Sequence, residues 1–282
     1  MKKGLVLEGG ALRGIFTAGV LDVFLENNIS FDGMVGVSAG AVFGCNFKSR
    51  QPGRTVRYNT RFCRSWKYAS FLSLFLTGNL YGTKFCYHDI PERLDPFDLE
   101  TFQNNSMEFH LVTTDAETGY PLYHRCGDDS RDVLMDWFRA SASMPIVSKT
   151  VKIGGKQLLD GGISDSIPLR YFQENGFEKN VVILTQPPGF QKKKIRFTPL
   201  IRFLLRKHPN VFQTLLDRHS RYNSQLAYVQ EQKAAGNTFV IQPPAPLGIG
   251  PIERDANRIR EVYQTGRAEG EKCLPEIKHF LN

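Results

Sequence analysis

Two glycine-containing segments carry residues suited to acyl-transfer chemistry. Gly9-Gly10-Ala11-Leu12-Arg13-Gly14 follows one predicted strand, and Gly36-Val37-Ser38-Ala39-Gly40 follows the next. A serine with a glycine two residues away on each side suits a sharp strand-to-helix turn that exposes its hydroxyl as a nucleophile. The first three residues of the earlier segment can turn their N–H groups toward the oxygen of a tetrahedral intermediate, as an oxyanion hole. The two segments together predict ester hydrolysis.

The hydroxyl of Ser38 needs a proton acceptor, and the sequence offers an aspartate for this role. None of the six histidines lies in a recognisable catalytic pattern. Asp160-Gly161-Gly162, by contrast, follows a short predicted strand at 158–159. Ligands in open α/β sheets usually bind at such strand ends. Asp160 therefore lies on a glycine turn at a strand end, where a functional carboxylate is expected.

The glycine loop has a second interpretation. Gly-x-Ala-x-x-Gly between a strand and a helix is also similar to a dinucleotide-binding fingerprint. That fold places an acidic residue at the end of its second strand, where it binds the ribose. The corresponding position here holds Gly36-Val37-Ser38. The spacing therefore favours an oxyanion loop over nucleotide binding.

The elements around these segments alternate between strand and helix. Residues 4–8 predict a buried strand, a helix follows to about residues 27–28, and residues 31–37 predict a second strand. This unit indicates a parallel pair with a right-handed crossover. Further strand candidates lie at 108–114, 119–123, 150–153, 158–159, 181–185 and 239–242.

The order of these motifs resembles that of the patatin-like phospholipases, in particular their bacterial cytoplasmic members. That family has a glycine-rich oxyanion loop at the first strand, a Gly-x-Ser-x-Gly turn after the second, and Asp-Gly-Gly or Asp-Gly-Ala far downstream. The matching segments are 9–14, 36–40 and 160–162, with further similarity at 113–115, 140–145 and 167–168. The resemblance covers roughly residues 4–190.

The resemblance implies an α/β three-layer sandwich with a mainly parallel central sheet, and a Ser-Asp dyad without histidine. Ser38 would attack the acyl carbonyl, Asp160 would act as the base, and water would hydrolyse the acyl-enzyme. A free carboxylate is a weak base, so Asp160 is expected in a site whose burial raises its pKa. The supporting motif residues are Arg13, Gly14, Gly36, Gly40, Gly161 and Gly162.

The substrates implied are phospholipids, lysophospholipids or other lipid acyl esters, and neither a metal nor another cofactor is expected. An acyltransferase would use the same dyad, so acyl transfer to an alcohol stays open as an alternative. A non-catalytic lipid-binding protein of the same fold is the other alternative. It is favoured by the basic charge and opposed by the intact Ser38 and Asp160.

Length and composition fit one core, residues 4–190, with a basic, mainly helical extension at 191–282 packed on it. Pro275 lies within the last predicted helix and is expected to kink or interrupt it. The five cysteines are scattered without metal-ligand spacing, which predicts free thiols in a reducing compartment. No secretory segment is recognised, and no apolar stretch approaches the roughly 20 residues that cross a bilayer. A cytoplasmic protein is expected.

The formal net charge of +8 favours anionic partners. Nucleic acid is not expected, because the chain has no zinc pattern or nucleic-acid motif. Residues 192–207 mix basic and apolar side chains, as in a helix at an anionic membrane surface or a solvated helix packed on the core. Peripheral contact at the inner membrane surface therefore stays open. The apolar segment 65–76 fits either a lid or acyl-chain wall, or a buried core helix.

Overall fold

Eight strands form one sheet in the computed structural model, which describes residues 1–282. The strands are β1 (Lys2–Leu7), β2 (Gly33–Val37), β3 (Glu108–Asp115), β4 (Pro121–Cys126), β5 (Val151–Ile153), β6 (Lys156–Asp160), β7 (Phe177–Ile183) and β8 (Thr238–Ile241). Their order is β5-β6-β3-β2-β1-β7-β8, and β4 pairs with β3. The neighbours from β3 to β8 run parallel, whereas β4, β5 and β6 make antiparallel pairs.

Helices connect most of these strands. They are α1 (Gly14–Glu26), α2 (Ala39–Lys48), α3 (Arg54–Phe62), α4 (Phe71–Thr77), α5 (Leu99–Asn104), α6 (Arg131–Ser141), α7 (Leu169–Glu174), α8 (Thr198–Leu204), α9 (Pro209–Ala234) and α10 (Ala256–Leu281). Short 3-10 turns occupy Ala11–Arg13 and Gly161–Ile163, and Phe85–Leu94 is π-helical.

The sheet is buried on both faces, which gives three layers. Successive side chains of a strand point to opposite faces. Leu5 and Leu7 of β1 therefore pack into the larger core beneath α1, α2 and α10, while Val6 packs into a second core beneath α7 and α9. Burial on both faces is typical of parallel strands. The predicted three-layer α/β architecture is confirmed.

The C-terminal region joins this core through both a strand and helices. β8 extends the sheet by pairing with β7, and α10 packs along α1. The expected interruption at Pro275 is wrong, because α10 continues to Leu281. Ile277 and Leu281 are buried beyond the proline, so packing on the core stabilises the last turns despite the missing N–H donor.

Two helices leave large apolar side chains in solvent. On α4, Phe71 and Phe75 are 75% and 87% exposed, so a buried core helix is the wrong interpretation of this part of 65–76. Tyr68, just before α4, is buried. On α8 no residue is buried, and Phe203 is 61% exposed. Across the chain, no helix combines the length and the apolar character needed to cross a membrane.

Candidate active site

Ser38 lies at the junction between β2 and α2, in a strained backbone conformation. Its φ of 54° and ψ of −120° lie outside the regions that a non-glycine residue usually occupies. The Ser38 N–H donates to Ser141 Oγ at 3.0 Å. The Ser141 hydroxyl in turn donates to the Val112 carbonyl at 2.7 Å. These bonds hold the turn against β3 and present the Ser38 hydroxyl at the end of the sheet.

Close backbone packing explains why glycines flank this turn. A Cβ on Gly40 would lie 2.5 Å from the Leu7 carbonyl oxygen, and one on Gly36 would lie 2.7 Å from the Ala41 backbone. A Cβ on Gly14 would lie 2.9 Å from that of Ala39. Real Cβ atoms do not come this close to other heavy atoms, so side chains at these positions would push α2 away from β1, β2 and α1.

Asp160 is the last residue of β6 and contacts Ser38 directly. The Ser38 Oγ donates to Asp160 Oδ2 at 2.7 Å, and the Gly162 N–H donates to Oδ1 at 2.7 Å. Burial raises the pKa of Asp160, while the Ser38 hydroxyl, the charge of Arg218 and the Gly162 N–H oppose that rise. A Cβ on Gly161 would overlap the Val112 carbonyl, so this glycine lets the aspartate turn lie against β3. The carboxylate is placed to accept the serine proton.

The loop after β1 borders the same cavity as Ser38 and Asp160. The N–H groups of Gly9, Gly10 and Ala11 donate no hydrogen bond within the protein. Ala11 has a φ of 49°, which turns the chain sharply into the 3-10 segment. Ala39, at the start of α2, also has an N–H without an acceptor. Unpaired donors beside a nucleophile can stabilise an oxyanion, and the sequence interpretation did not include that of Ala39.

Glu8 anchors the loop after β1 to two other elements. Its Oε2 accepts the Thr185 N–H at 2.6 Å, just beyond β7. Its Oε1 accepts the Tyr222 hydroxyl of α9 at 2.6 Å. Glu8 is buried, and a buried carboxylate needs such partners. This chain therefore uses its glutamate to fix the start of the loop.

Helix α9 also supports the turn that carries Asp160. Arg218 Nε donates to the Gly162 carbonyl at 2.6 Å, and Arg221 Nη1 donates to the Ile163 carbonyl at 3.1 Å. Sequence reasoning missed these residues. Nothing local in a basic helix indicates that it packs against a turn more than fifty positions earlier, so only the tertiary fold reveals the contact.

Two cavities meet at Ser38. The first, the apolar chamber, is lined mainly by apolar side chains, including Leu12, Val42 and Phe138. Tyr68 lines it too, so part of segment 65–76 forms its wall. The second, the polar cavity, contains Asp160 and the loop after β1, together with Arg13. None of the six histidines lines either cavity.

Two groups of side chains have the geometry of a metal site, and both lie outside these cavities. They are His124, Cys126 and Asp129, and His88, Glu92 and Asp132. His124 Nε2 already lies at hydrogen-bond distance, 3.1 Å, from Asp129 Oδ2, and the His124 ring stacks on Trp137. Neither group touches the serine or the aspartate of the candidate site.

The chain belongs to the patatin-like phospholipase family, whose model matches residues 5–172. This confirms the family expected from the order of the motifs. A second model, a domain of unknown function (DUF6363), matches residues 208–282. That match covers all of α9, together with β8 and α10.

Relatives are distant. The chain is 28% identical to the uncharacterized protein YjjU of Escherichia coli (strain K12), over 98% of this chain and 78% of that protein. It is 24% identical to lysophospholipase nte1 of Aspergillus terreus (strain NIH 2624 / FGSC A1156), over 98% of this chain but only 18% of that protein. The crystal structure of VipD from Legionella pneumophila is similar with a TM-score of 0.46 and 11% identity, over 98% of this chain and 67% of that chain.

Proposed function

We propose that this protein hydrolyses lipid acyl esters, as a phospholipase A or lysophospholipase, through a Ser38–Asp160 dyad. The observation that carries the proposal is the 2.7 Å hydrogen bond from Ser38 Oγ to Asp160 Oδ2. This bond lies where an apolar chamber meets a polar cavity, as a substrate with an acyl chain and a polar end requires. The lipid substrates named by the family and by the nte1 relative support the same class.

In the first half-reaction, Ser38 Oγ bonds to the ester carbonyl carbon while its proton passes to Asp160 Oδ2. The carbonyl oxygen becomes an oxyanion, and the N–H groups of Gly9, Gly10 and Ala11 stabilise it. The tetrahedral intermediate then collapses. Its ester C–O bond breaks, and the leaving alcohol takes the proton from Asp160. The product is an ester between the acyl group and Ser38.

In the second half-reaction, water attacks the acyl-enzyme at the same carbonyl carbon. Asp160 accepts a proton from this water and returns it to Ser38 Oγ when the acyl–serine bond breaks. A fatty acid and the original dyad result. If an alcohol replaces water, the same steps yield a new ester, so product analysis in the presence of glycerol distinguishes hydrolysis from acyl transfer.

Ser38→Ala and Asp160→Asn test the dyad. We expect each to lower kcat/KM by at least about a thousandfold on p-nitrophenyl esters and monoacyl phospholipids, with circular dichroism unchanged. Matched controls are Ser49→Ala, a buried serine at the other end of α2, and Asp165→Asn, a buried aspartate hydrogen-bonded to Tyr123 and Gln225. Both controls keep their turnover. A folded Ser38→Ala or Asp160→Asn protein with full activity would refute the dyad. A folded wild type that turns over no ester would favour a lipid-binding protein instead.

We further propose peripheral contact with an anionic membrane through the exposed apolar helices α4 and α8, called here the interfacial surface. One of these helices, α8, borders the polar cavity, because Ile201 lines it. The loop that follows α4 contacts another lining residue, since the Leu80 N–H donates to the Val147 carbonyl at 2.8 Å. Lipid bound at this surface would lie beside the opening to Ser38.

Charge supports the same contact. Exposed basic side chains surround α8. They are Lys194, Arg196, Arg202, Arg206 and Lys207. Basic residues beside an apolar helix are the features of an interfacial anchor that prefers anionic lipid. The five cysteines are all free thiols, which supports placement in a reducing compartment, on the inner side of a membrane.

A further inference from the structure

The polar cavity has a basic wall that comes from the C-terminal part of the chain. Lys192 and Arg218 line this cavity, opposite the oxyanion loop with its Arg13. The patatin-like model ends at residue 172, so neither Lys192 nor Arg218 belongs to the matched catalytic segment. Arg218 lies on α9, within the match to the domain of unknown function.

These three cations have no acidic partner in direct contact: the charge of Glu8 acts on Lys192, and that of Asp160 acts on Arg218, without an ion pair. None of them forms a salt bridge. Arg13 Nε is buried without any hydrogen-bond partner. The Lys192 ammonium lies 4.3 Å from the Tyr222 ring centroid, so an aromatic face rather than a carboxylate packs beside it. Burying like charges together is costly unless an anion neutralises them.

The two carboxylates that line this cavity already accept hydrogen bonds from other groups of the protein. Glu8 accepts from Thr185 and Tyr222, and Asp160 accepts from Ser38 and Gly162. Burial and the neighbouring Arg218 and Arg13 lower the pKa of Lys192 to about 8, although the charge of Glu8 opposes this shift. The repulsion among these cations is the force that a bound anion would relieve.

We infer that Lys192, Arg218 and Arg13 bind the phosphate group of the substrate, so that the C-terminal region selects lipids whose leaving alcohol carries a phosphate. This inference rests on the proposed function and adds to it the residues of the C-terminal region that recognise the phosphate. The acyl chain occupies the apolar chamber on one side of Ser38, and the phosphate-bearing alcohol occupies the polar cavity on the other. Guanidinium and ammonium groups are the side chains that bind phosphate best.

Arg218 has two roles under this inference, and Lys192 has one. Arg218 Nε holds the Gly162 carbonyl, so its removal would also disturb Asp160. The Lys192 side chain forms no hydrogen bond to the protein; only its backbone groups do, with Asn223. Lys192 is therefore the residue to change. Lys193, the exposed neighbour, supplies a control that removes the same charge.

The first experiment compares two esters with the same acyl chain, a monoacylglycerol 3-phosphate and the uncharged monoacylglycerol. We expect wild type to prefer the phosphate ester in kcat/KM, and Lys192→Met to lower that preference about tenfold, as loss of one charge-assisted contact predicts. Lys193→Met keeps the wild-type preference. Equal use of both esters by wild type, or an equal loss on both in Lys192→Met, would overturn the inference.

The second experiment measures binding without turnover, so that the subsite is tested even if the proposed hydrolysis fails. In the Ser38→Ala protein, calorimetry with sn-glycerol 3-phosphate should show binding that Lys192→Met weakens about tenfold and Lys193→Met does not. Inorganic phosphate should bind more weakly, because it lacks the glycerol part. No binding of sn-glycerol 3-phosphate, or equal binding of inorganic phosphate, would contradict a site for the leaving group.

Discussion

At the scale of single residues, Asp160 combines two requirements that oppose each other. A base must be ionised to accept a proton, and its basicity rises when its pKa rises. Burial provides that rise at Asp160, but an ionised carboxylate in a buried site costs stability. No lysine or arginine forms a salt bridge with it to compensate. In the proposed dyad, Asp160 therefore gains basicity at the expense of stability, as catalytic residues in active sites often do.

This trade predicts a pH-dependent stabilisation by Asp160→Asn. Since the pKa of Asp160 is higher in the folded than in the unfolded chain, the folded state holds its proton to higher pH. Stability therefore falls as pH rises from the unfolded value of about 4 through the folded value. At pH 7 we expect the variant to gain about 1 kcal/mol, or about 2 °C in Tm, as measured by calorimetry.

Calorimetry of wild type and Asp160→Asn at several pH values tests this prediction. The advantage of Asp160→Asn should shrink toward acid pH, where the wild-type aspartate is protonated and also uncharged. Asp165→Asn serves as a comparison, because burial raises the pKa of Asp165 too. A Tm difference for Asp160→Asn that is independent of pH would show that the charge is not responsible.

Residue patterns indicated much of the candidate site because its parts lie in short segments. The elbow around Ser38 and the loop at residues 9–14 each have a local backbone requirement that glycine spacing reveals. Pairing Ser38 with Asp160, across 122 positions, rested on the family resemblance. Arg218 and Tyr222 left no local signal, because their contacts depend on how α9 packs. Lys192 lies in the basic run 192–207, but nothing in that run indicated that it lines the cavity at Ser38.

At the scale of elements, the sequence located the central strands well. The predicted strand at 4–8 corresponds to β1, Lys2–Leu7, and the predicted strand at 31–37 corresponds to β2, Gly33–Val37. Continuous apolar runs in a sheet buried on both faces give this signal. The sequence did not indicate that β6 pairs antiparallel with β3, because pairing partners far apart in the chain follow from the whole topology.

The packing of α10 on α1 depends on a close approach between the backbones of the two helices. A Cβ on Gly266 would overlap the Phe16 carbonyl of α1. Alanine normally stabilises a helix interior relative to glycine by about 1 kcal/mol. We expect Gly266→Ala to lower the free energy of unfolding by about 1–3 kcal/mol all the same, as measured by urea denaturation, since the backbones must separate.

Gly127→Ala is the control for this substitution. Nothing lies within 4 Å of a Cβ at Gly127, so the change should have little effect on stability. If Gly266→Ala were as stable as wild type, α10 would have to shift on α1 without loss of packing. The tight contact would then be unimportant for holding the C-terminal helix on the core.

At the scale of the whole molecule, three features lie around one opening. The apolar chamber, the basic wall and the interfacial surface all border the cavity at Ser38 or the loops beside it. The net charge of +8 adds long-range attraction to anionic surfaces. This arrangement fits a substrate that is drawn from a lipid surface, with its acyl chain entering one cavity and its polar end the other.

The interfacial surface predicts that apolar insertion and charge contribute separately to membrane binding. Phe75 of α4 and Phe203 of α8 are 87% and 61% exposed, and inserting a phenylalanine into lipid is worth roughly 1.5–3 kcal/mol. We expect Phe75→Ser and Phe203→Ser each to weaken binding to phosphatidylglycerol vesicles about tenfold or more, as measured by sedimentation. Val133→Ser, at an exposed position on α6, should bind like wild type.

Salt separates the two contributions further. Raising ionic strength should weaken binding of wild type to anionic vesicles, because it screens the basic residues around α8. The fold-loss caused by Phe75→Ser should stay the same at high salt, since burial of a phenyl ring does not depend on screening. If wild type bound neutral vesicles at high salt as tightly as anionic vesicles at low salt, an electrostatic contribution to membrane binding would be excluded. Unaltered binding by both phenylalanine variants would exclude insertion of α4 and α8.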